Sequence, residues 1–326
     1  MKTEFYKKLI CTEGLSKLDW LKWRQKGIGG SDIAAVCGLN PFHSSLSLYL
    51  DKTEEIKEET DRFKALEERE VRMAVGTWNE PHLRELFQLW FLKNEGVEII
   101  VEEIPYILQH PTNKIALANV DGVFFQPDRG ACLLEIKTTG EYNKKDWEDD
   151  NVPDYYYTQT QWYMYVMGYM SCYIAFLIGN RKFDVKLIER NGEVIDELVE
   201  KADYFWNTFV LTKTPPAPSG DISSSIALKS MYPKEKEGTI VDFTGDSDLE
   251  HNFAKVEFVN EQIKGLKEEL EVNKQAIQAK QGVAEVLICG EKKATWKEIL
   301  KKEYVVKASK FRMFRISKYK GGLNND

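Results

Sequence analysis

The apolar period of this chain changes at about Gly96, and that change limits what the chain can fold into. Before it, Leu83, Leu86, Phe87, Trp90 and Phe91 recur at three and four, the apolar face of a helix expected over residues 80–93. After it, "VEIIVEEIPYIL" and "KIALANVDGVFFQ" read as strands, and the turn "PDRG" folds the second back onto "ACLLEIKTT" as a hairpin. Helix returns over residues 155–168, strand at "CYIAFLIG" and "KFDVKLIER", and helix over 193–211, with Val194, Leu198, Ala202, Phe205 and Phe209 as its apolar face. Upstream, residues 15–24, 44–50 and 61–75 read as helices, and "SDIAAVCG" as a helix with Ser31 as its N-cap and Gly38 as its stop. Helices on both sides of a strand hairpin imply an α/β fold, a central mixed β-sheet flanked by helices.

"TKTPPAPSG" breaks the pattern and marks a domain edge, which gives a core over residues 1–215 and a C-terminal helical and β appendage over 216–326. In the appendage Leu249, Phe253, Val256, Val259, Ile263, Leu266 and Leu270 form a near-heptad stripe. That stripe suits either a long helix packed on the body of the protein or on its own hairpin, or a subunit contact or DNA clamp. "AEVLICGEKKATWKEI" and "YVVKASKFRMFRISK" suggest a small hairpin or sheet. The net charge is −7, yet residues 301–320 carry Lys301, Lys302, Lys307, Lys310, Arg312, Arg315, Lys318 and Lys320 against the single acid Glu303, interleaved with aromatics. Such a local patch fits a solubilising tail or a DNA contact equally. Cys11, Cys37, Cys132, Cys172 and Cys289 form no CxxC, which fits a reducing compartment and argues against structural zinc. The longest apolar run, Cys172 to Ile178, is too short to span a bilayer, and no secretory signal is expected from the N-terminus.

The stretch "LEIKTT" places Glu135 and Lys137 two apart in an otherwise apolar strand. Residues two apart share a face, so both charges project to one side, where burial demands partners. Antiparallel pairing of the hairpin can bring Asp121 near Glu135, with Gly122 leaving room for close approach. Two carboxylates and the backbone carbonyl of Ile136 make a hard oxygen site suited to Mg²⁺ or Mn²⁺. Lys137 would then orient an attacking water or meet charge developing on phosphate. An isolated E-x-K is by default a structural ion pair, but here its strand is apolar and an acid sits on the neighbouring strand.

Three further groups point the same way. Gln159 is an amide on the aromatic stripe of Trp162, Tyr163 and Val166, whereas Gln161 points elsewhere on helical spacing. Glu80 precedes Leu83 and Phe87 on one helix face, with Pro81 in the expected first turn. An acid there would favour the helix dipole or reach a metal. In "WLKWRQKGIGGSD", Arg24, a glycine-rich turn and Ser31 opening a helix form either an anion site or simply a capped helix after a loop.

The D-x(13)-E-x-K spacing on a hairpin resembles the signature of PD-(D/E)xK nucleases. The order of "DWLKWRQKGIGGSDIAAVCGLNPFHSSLSLYLDKT", "GTWNEPHLRELF", "VDGVFF…LLEIKTT" and "VPDYYYTQTQWYMYVMGY" resembles the YqaJ-type viral recombinase family, which includes the lambda-type exonucleases. The resemblance runs over roughly residues 15–215. It implies a restriction-endonuclease-like core and a two-metal exonuclease that degrades one strand of linear duplex DNA from its 5′ end, leaving a 3′ overhang. Asp121 and Glu135 would ligate Mg²⁺ with the Ile136 carbonyl, and Lys137 would position the nucleophilic water. Glu80 and Gln159 would complete the site, Gln161 being the ambiguous neighbour. Arg24 and Ser31 would hold the terminal 5′-phosphate. The implied partners are duplex DNA ends, a single-strand annealing protein of the RecT/Red-beta type and further copies of the chain, as a trimeric ring. The implied setting is the cytoplasm of a bacterial host of a phage or prophage, away from membranes. A structure- or site-specific endonuclease on the same fold and a non-catalytic DNA-binding module are the alternatives.

Overall fold

The computed structural model describes residues 5–56, 68–149, 151–300, 312–314 and 316. The chain divides into two compact units, Met1–Tyr232 and Pro233–Asp326. The first opens with strand β1 (Lys7–Cys11) and helices α1 (Lys17–Arg24), α2 (Gly30–Val36) and α3 (Ser45–Thr53). Helix α4 (Glu68–Glu95) precedes strands β2 (Tyr106–Gln109), β3 (Leu117–Ala118), β4 (Gly122–Gln126) and β5 (Gly130–Thr139). A 3-10 turn at Glu141–Trp147 leads to α5 (Asp154–Met167), then β6 (Ser171–Ile178), β7 (Lys182–Glu189), α6 (Gly192–Phe205), a π-helical turn (Trp206–Val210) and α7 (Ile222–Met231).

The expected mixed sheet is present. Its strand order is β4-β5-β6-β7, with β4 antiparallel to β5, β5 parallel to β6 and β6 antiparallel to β7. A smaller sheet, β1-β2-β3, lies beside it in sequence. The alternation of β5 explains why the large sheet is covered on both faces. Leu133 faces a core built with Trp162 and Val166 of α5 and Ile33 of α2. Leu134 and Ile136 face a second core with Leu83, Phe87 and Phe91 of α4. Fully burying side chains of this size is worth roughly 1.5–3 kcal/mol each, so the register of β5 is strongly fixed. A slip of one residue would drive Glu135 and Lys137 into the aromatic core under α4.

Several expectations need correction. Residues 68–95 form one helix, so Pro81 lies inside it rather than in its first turn. Residues 57–67, which cover most of the helix expected at 61–75, lie outside the described residues. Of "VEIIVEEIPYIL", only Tyr106 onward forms a strand, and before it Glu102 makes a single antiparallel bridge to Val123 of β4. Upstream, the Val101 N–H is taken by Gln88 Oε1 of α4 at 2.9 Å, and Ile99 packs into the α4 core. The run "KIALANVDGVFFQ" splits into β3 and β4, which belong to different sheets. The N-cap of α2 is Gly29, whose N–H is accepted by Asp32 Oδ2 at 2.9 Å, so Ser31 is not the cap.

The boundary also moves from residue 215 to Tyr232. Helix α7 belongs to the first unit because Ser223 Oγ accepts from Ser44 N at 3.0 Å and lies 2.7 Å from Ser47 Oγ at the start of α3. The second unit contains the helix α8 (Ser247–Gln281), capped by Asp246, and the expected hairpin of β8 (Val286–Cys289) and β9 (Lys292–Thr295). Of the basic stretch 301–320, only Arg312, Met313, Phe314 and Ile316 are described; the rest lies outside the described residues. Among the described residues, no helix is long and apolar enough to cross a membrane.

Candidate active site

The hairpin register pairs Gly122 with Leu134, so the next position sets Asp121 opposite Glu135. Residues directly opposite in an antiparallel pair project to the same face. Asp121 sits where the chain leaves the small sheet for the large one, and its Oδ2 accepts from the Ile136 N–H at 2.7 Å. In a strand a residue's N–H and C=O point the same way. The Ile136 carbonyl therefore faces the same edge, past the end of β4.

Glu135 is the centre of the cluster. Its side chain is 3% exposed, and Oε1 accepts from Lys137 Nζ at 2.5 Å and from Gln159 Nε2 at 2.6 Å. Its other oxygen, Oε2, is buried with no hydrogen-bond partner. Leaving such an atom unpaired costs about 1–3 kcal/mol. Lys137 also lies 4.7 Å from the ring centre of Tyr156. Gln159 Nε2 donates a second bond to Tyr163 Oη at 3.0 Å. Gln161 is committed elsewhere: its amide donates to the Glu189 carbonyl and accepts from the Asn191 N–H, bonds that seat the start of α6.

Glu80 comes from α4, which passes close to the end of β5 at Gly76; a Cβ there would touch Thr138 Oγ1 at 3.5 Å. With Pro81 inside the helix, Glu80 is not in a first turn, and the dipole explanation for an acid there no longer applies. Its pKa is pushed up to about 7, by burial and then by Asp121. Burial and then Asp121 push Glu135 up to about 8, against the opposing charge of Lys137. Burial also raises Asp121. Lys137 is held above the ordinary lysine value: burial pulls it down, but Glu135 and Asp121 outweigh that. Three carboxylates thus feel one another, and Lys137 with Arg84 does not offset the rise in Glu80 and Glu135.

That environment is the test of whether a cation fits. The unpaired Glu135 Oε2, carboxylates pushed toward neutrality and an outward carbonyl form a hard-oxygen donor set. Among the described residues, no group of three His, Cys, Asp or Glu side chains already converges to hold an ion. Lys137, Gln159 and the Ile136 N–H occupy Glu135 Oε1 and Asp121 Oδ2 instead.

A second cluster forms around Arg24. Its Nη2 donates to Ser31 Oγ and to Asp32 Oδ1, both at 2.8 Å, and its guanidinium lies 4.9 Å from the Trp20 ring centre. Asp32 Oδ2 also accepts from Lys52 Nζ at 2.7 Å. Burial alone would raise Asp32, but Arg24 and Lys52 outweigh it and hold the carboxyl well below the usual range. Lys52 is itself pulled down by burial, more than Asp32 restores, so the stabilisation of this triad rests on the aspartate.

Tyr163 joins the two clusters. A Cβ on Gly30 would lie 2.2 Å from its ring, so only glycine lets α2 approach α5 this closely. Its phenol is raised well above the ordinary value by burial and then by Glu135 and Asp121, with Arg24 opposing. Sequence reasoning placed Tyr163 on the Gln159 face without giving it a role; the four-residue spacing was the available signal. Asp32 and Lys52 were missed, and only the adjacency of Asp32 to Ser31 hinted at the first.

A model of the YqaJ-like viral recombinase domain matches residues 19–170. The uncharacterized protein YqaJ of Bacillus subtilis (strain 168) is 32% identical over 288 residues, 88% of this chain and 85% of the relative. The chain belongs to the YqaJ-like viral recombinase family. The matched domain spans both the Arg24 cluster and the hairpin with Glu135. Among solved structures, the alkaline exonuclease LHK-Exo from Laribacter hongkongensis is similar at 20% identity and a TM-score of 0.42, covering 60% of this chain and 93% of that one. Its complex with dAMP gives a TM-score of 0.44 with the same coverage. A phage related exonuclease from Haemophilus somnus 129PT is similar at 12% identity and a TM-score of 0.35, covering 60% and 98%.

Proposed function

We propose that this family member is a divalent-metal-dependent exonuclease that works from the 5′ end of linear duplex DNA and leaves a 3′ single-stranded overhang for recombination. The observation that carries the reading is Glu135: a buried carboxylate with one oxygen fixed by Lys137 and Gln159 and the other unpaired, opposite a second acid. Asp121, Glu135 Oε2, the Ile136 carbonyl and Glu80 would hold Mg²⁺ or Mn²⁺, with room in the donor set for two ions. Bound there, such ions supply hydroxide near neutral pH and charge shielding at phosphorus.

The remaining work falls to the chain. Lys137, a cation while Glu135 accepts from it, donates to a water or a phosphate oxygen and holds it in line. Gln159 fixes which oxygen of Glu135 stays available. Arg24 and Ser31 bind the terminal 5′-phosphate, and Asp32 with Lys52 holds Arg24 in place. The duplex end is then read as an anion at a fixed step from the carboxylates, with Tyr163 between them. Partners in this reading are duplex DNA ends, a single-strand annealing protein and further copies of the chain in a ring.

The test is purified protein with linear and covalently closed circular duplexes, in Mg²⁺ or in chelator. Metal-dependent loss of the linear duplex alone is expected. Cutting of closed circles would transfer the assignment to an endonuclease, and full activity of Asp121→Asn or Lys137→Ala would remove the site.

A further inference from the structure

The long helix of the second unit carries a pattern that the nuclease reading does not use. In α8, Leu249, Val256, Ile263, Leu270 and Ile277 recur at strict seven-residue spacing, each between 37% and 54% exposed. Three residues beyond the second and third of them come Val259 and Leu266, also exposed. These are the a and d positions of a heptad. A straight helix drifts by about 20° per heptad against a strict seven-residue repeat, so a stripe kept over five heptads is matched to a supercoiled partner helix rather than to a globular surface.

We infer that α8 is a parallel, in-register coiled-coil strand whose partner is the same helix of a second copy of this chain. Two features select a copy of itself. The d positions Asn252 and Asn273 face their own counterparts in a parallel pair and can hydrogen-bond to them, whereas in a fully overlapped antiparallel pair they would face the apolar Ile277 and Val256. The flanking charges agree. In the parallel register Glu269 meets Lys274 of the copy, Gln262 meets Lys267 and Lys255 meets Asn260, with no like pair among these flanking positions; the one like pair, Lys280 with its counterpart at the last d position, falls in the final turn of the helix. DNA is the poorer occupant, because Asp248 and six glutamates outnumber five lysines along α8.

The experiment uses the full chain with exposed Cys289 replaced by serine, carrying either Asn273→Cys at a d position or Glu268→Cys on the outer face. Under mild oxidation Asn273→Cys is expected to form a covalent two-chain product several times faster than Glu268→Cys. Adding Ile263→Asp should abolish that product. Equal rates at the two positions, no product from Asn273→Cys, or a product that survives Ile263→Asp would each overturn the inference. The readout needs neither metal nor DNA cleavage, so its failure would leave the proposed activity standing.

Discussion

Gln159 holds Glu135 by one oxygen only, a 2.6 Å bond from α5 to β5 that leaves the second oxygen of the carboxylate without a partner. The amide acts as an orienting group, in the way that outer partners of metal-ligating side chains usually do. Gln159→Ala is therefore expected to lower nuclease activity about 10- to 100-fold, with a higher metal concentration needed for half-maximal rate. Circular dichroism should show an intact fold, and unchanged metal dependence would count against the orienting role.

Arg24→Ala should abolish the preference for 5′-phosphorylated over 5′-hydroxyl ends. A bond to a charged group is worth about 1.5–3 kcal/mol, or roughly 10- to 100-fold in rate on phosphorylated ends. Exposed Ser31 contributes one hydroxyl, so Ser31→Ala should cost less and leave stability unchanged. Rates on paired substrates differing only at the 5′ end decide it.

Asp32 gives a stability that depends on pH. Its folded-state pKa lies well below the ordinary value of 3.8, so its contribution is complete above that value and is lost progressively as pH falls from there through the lowered folded-state value. Asp32→Asn strands two buried cations and should cost about 3–5 kcal/mol at neutral pH. Denaturant melts of both proteins from about pH 5 down to about pH 2 should draw closer as the wild type loses part of its advantage.

Gly30→Ala should cost about 1–3 kcal/mol by overpacking, because the new methyl overlaps the Tyr163 ring. The displaced phenol would release its bond from Gln159, so activity should fall with stability. Tyr163→Phe keeps the ring and loses only the hydroxyl, so it should retain most of the stability. Thermal melts of the two variants beside their rates separate the packing effect from the loss of that bond.

The hairpin and its acids were legible because period-two alternation and a short turn are local signals. Opposing Asp121 to Glu135 needed only the turn "PDRG" to fix the register. The change of sheet just before Asp121 was not legible, since the run from Ile115 to Phe125 stays rich in apolar residues and gives no punctuation except Gly122. Helical spacing favoured Gln159 while the family resemblance kept Gln161 in competition, and the start of α6 settled where Gln161 goes by claiming both ends of its amide. Pro81 invited a start signal that the turn before it overrides. Lys52 reaches Asp32 from another helix, a contact with no periodic trace in the sequence.

Pro81 has no N–H to offer the carbonyl of Thr77, so α4 lacks a rung in the turn that carries Glu80. The half of the helix with Phe87 and Phe91 is clamped in the core, while the half before the proline is tied to it by fewer backbone bonds. Amide hydrogen exchange should divide there, fast before the proline and slow after it. Glu80 thus stands at the end of a turn that one missing bond loosens, while the aromatic rod that follows keeps its full ladder.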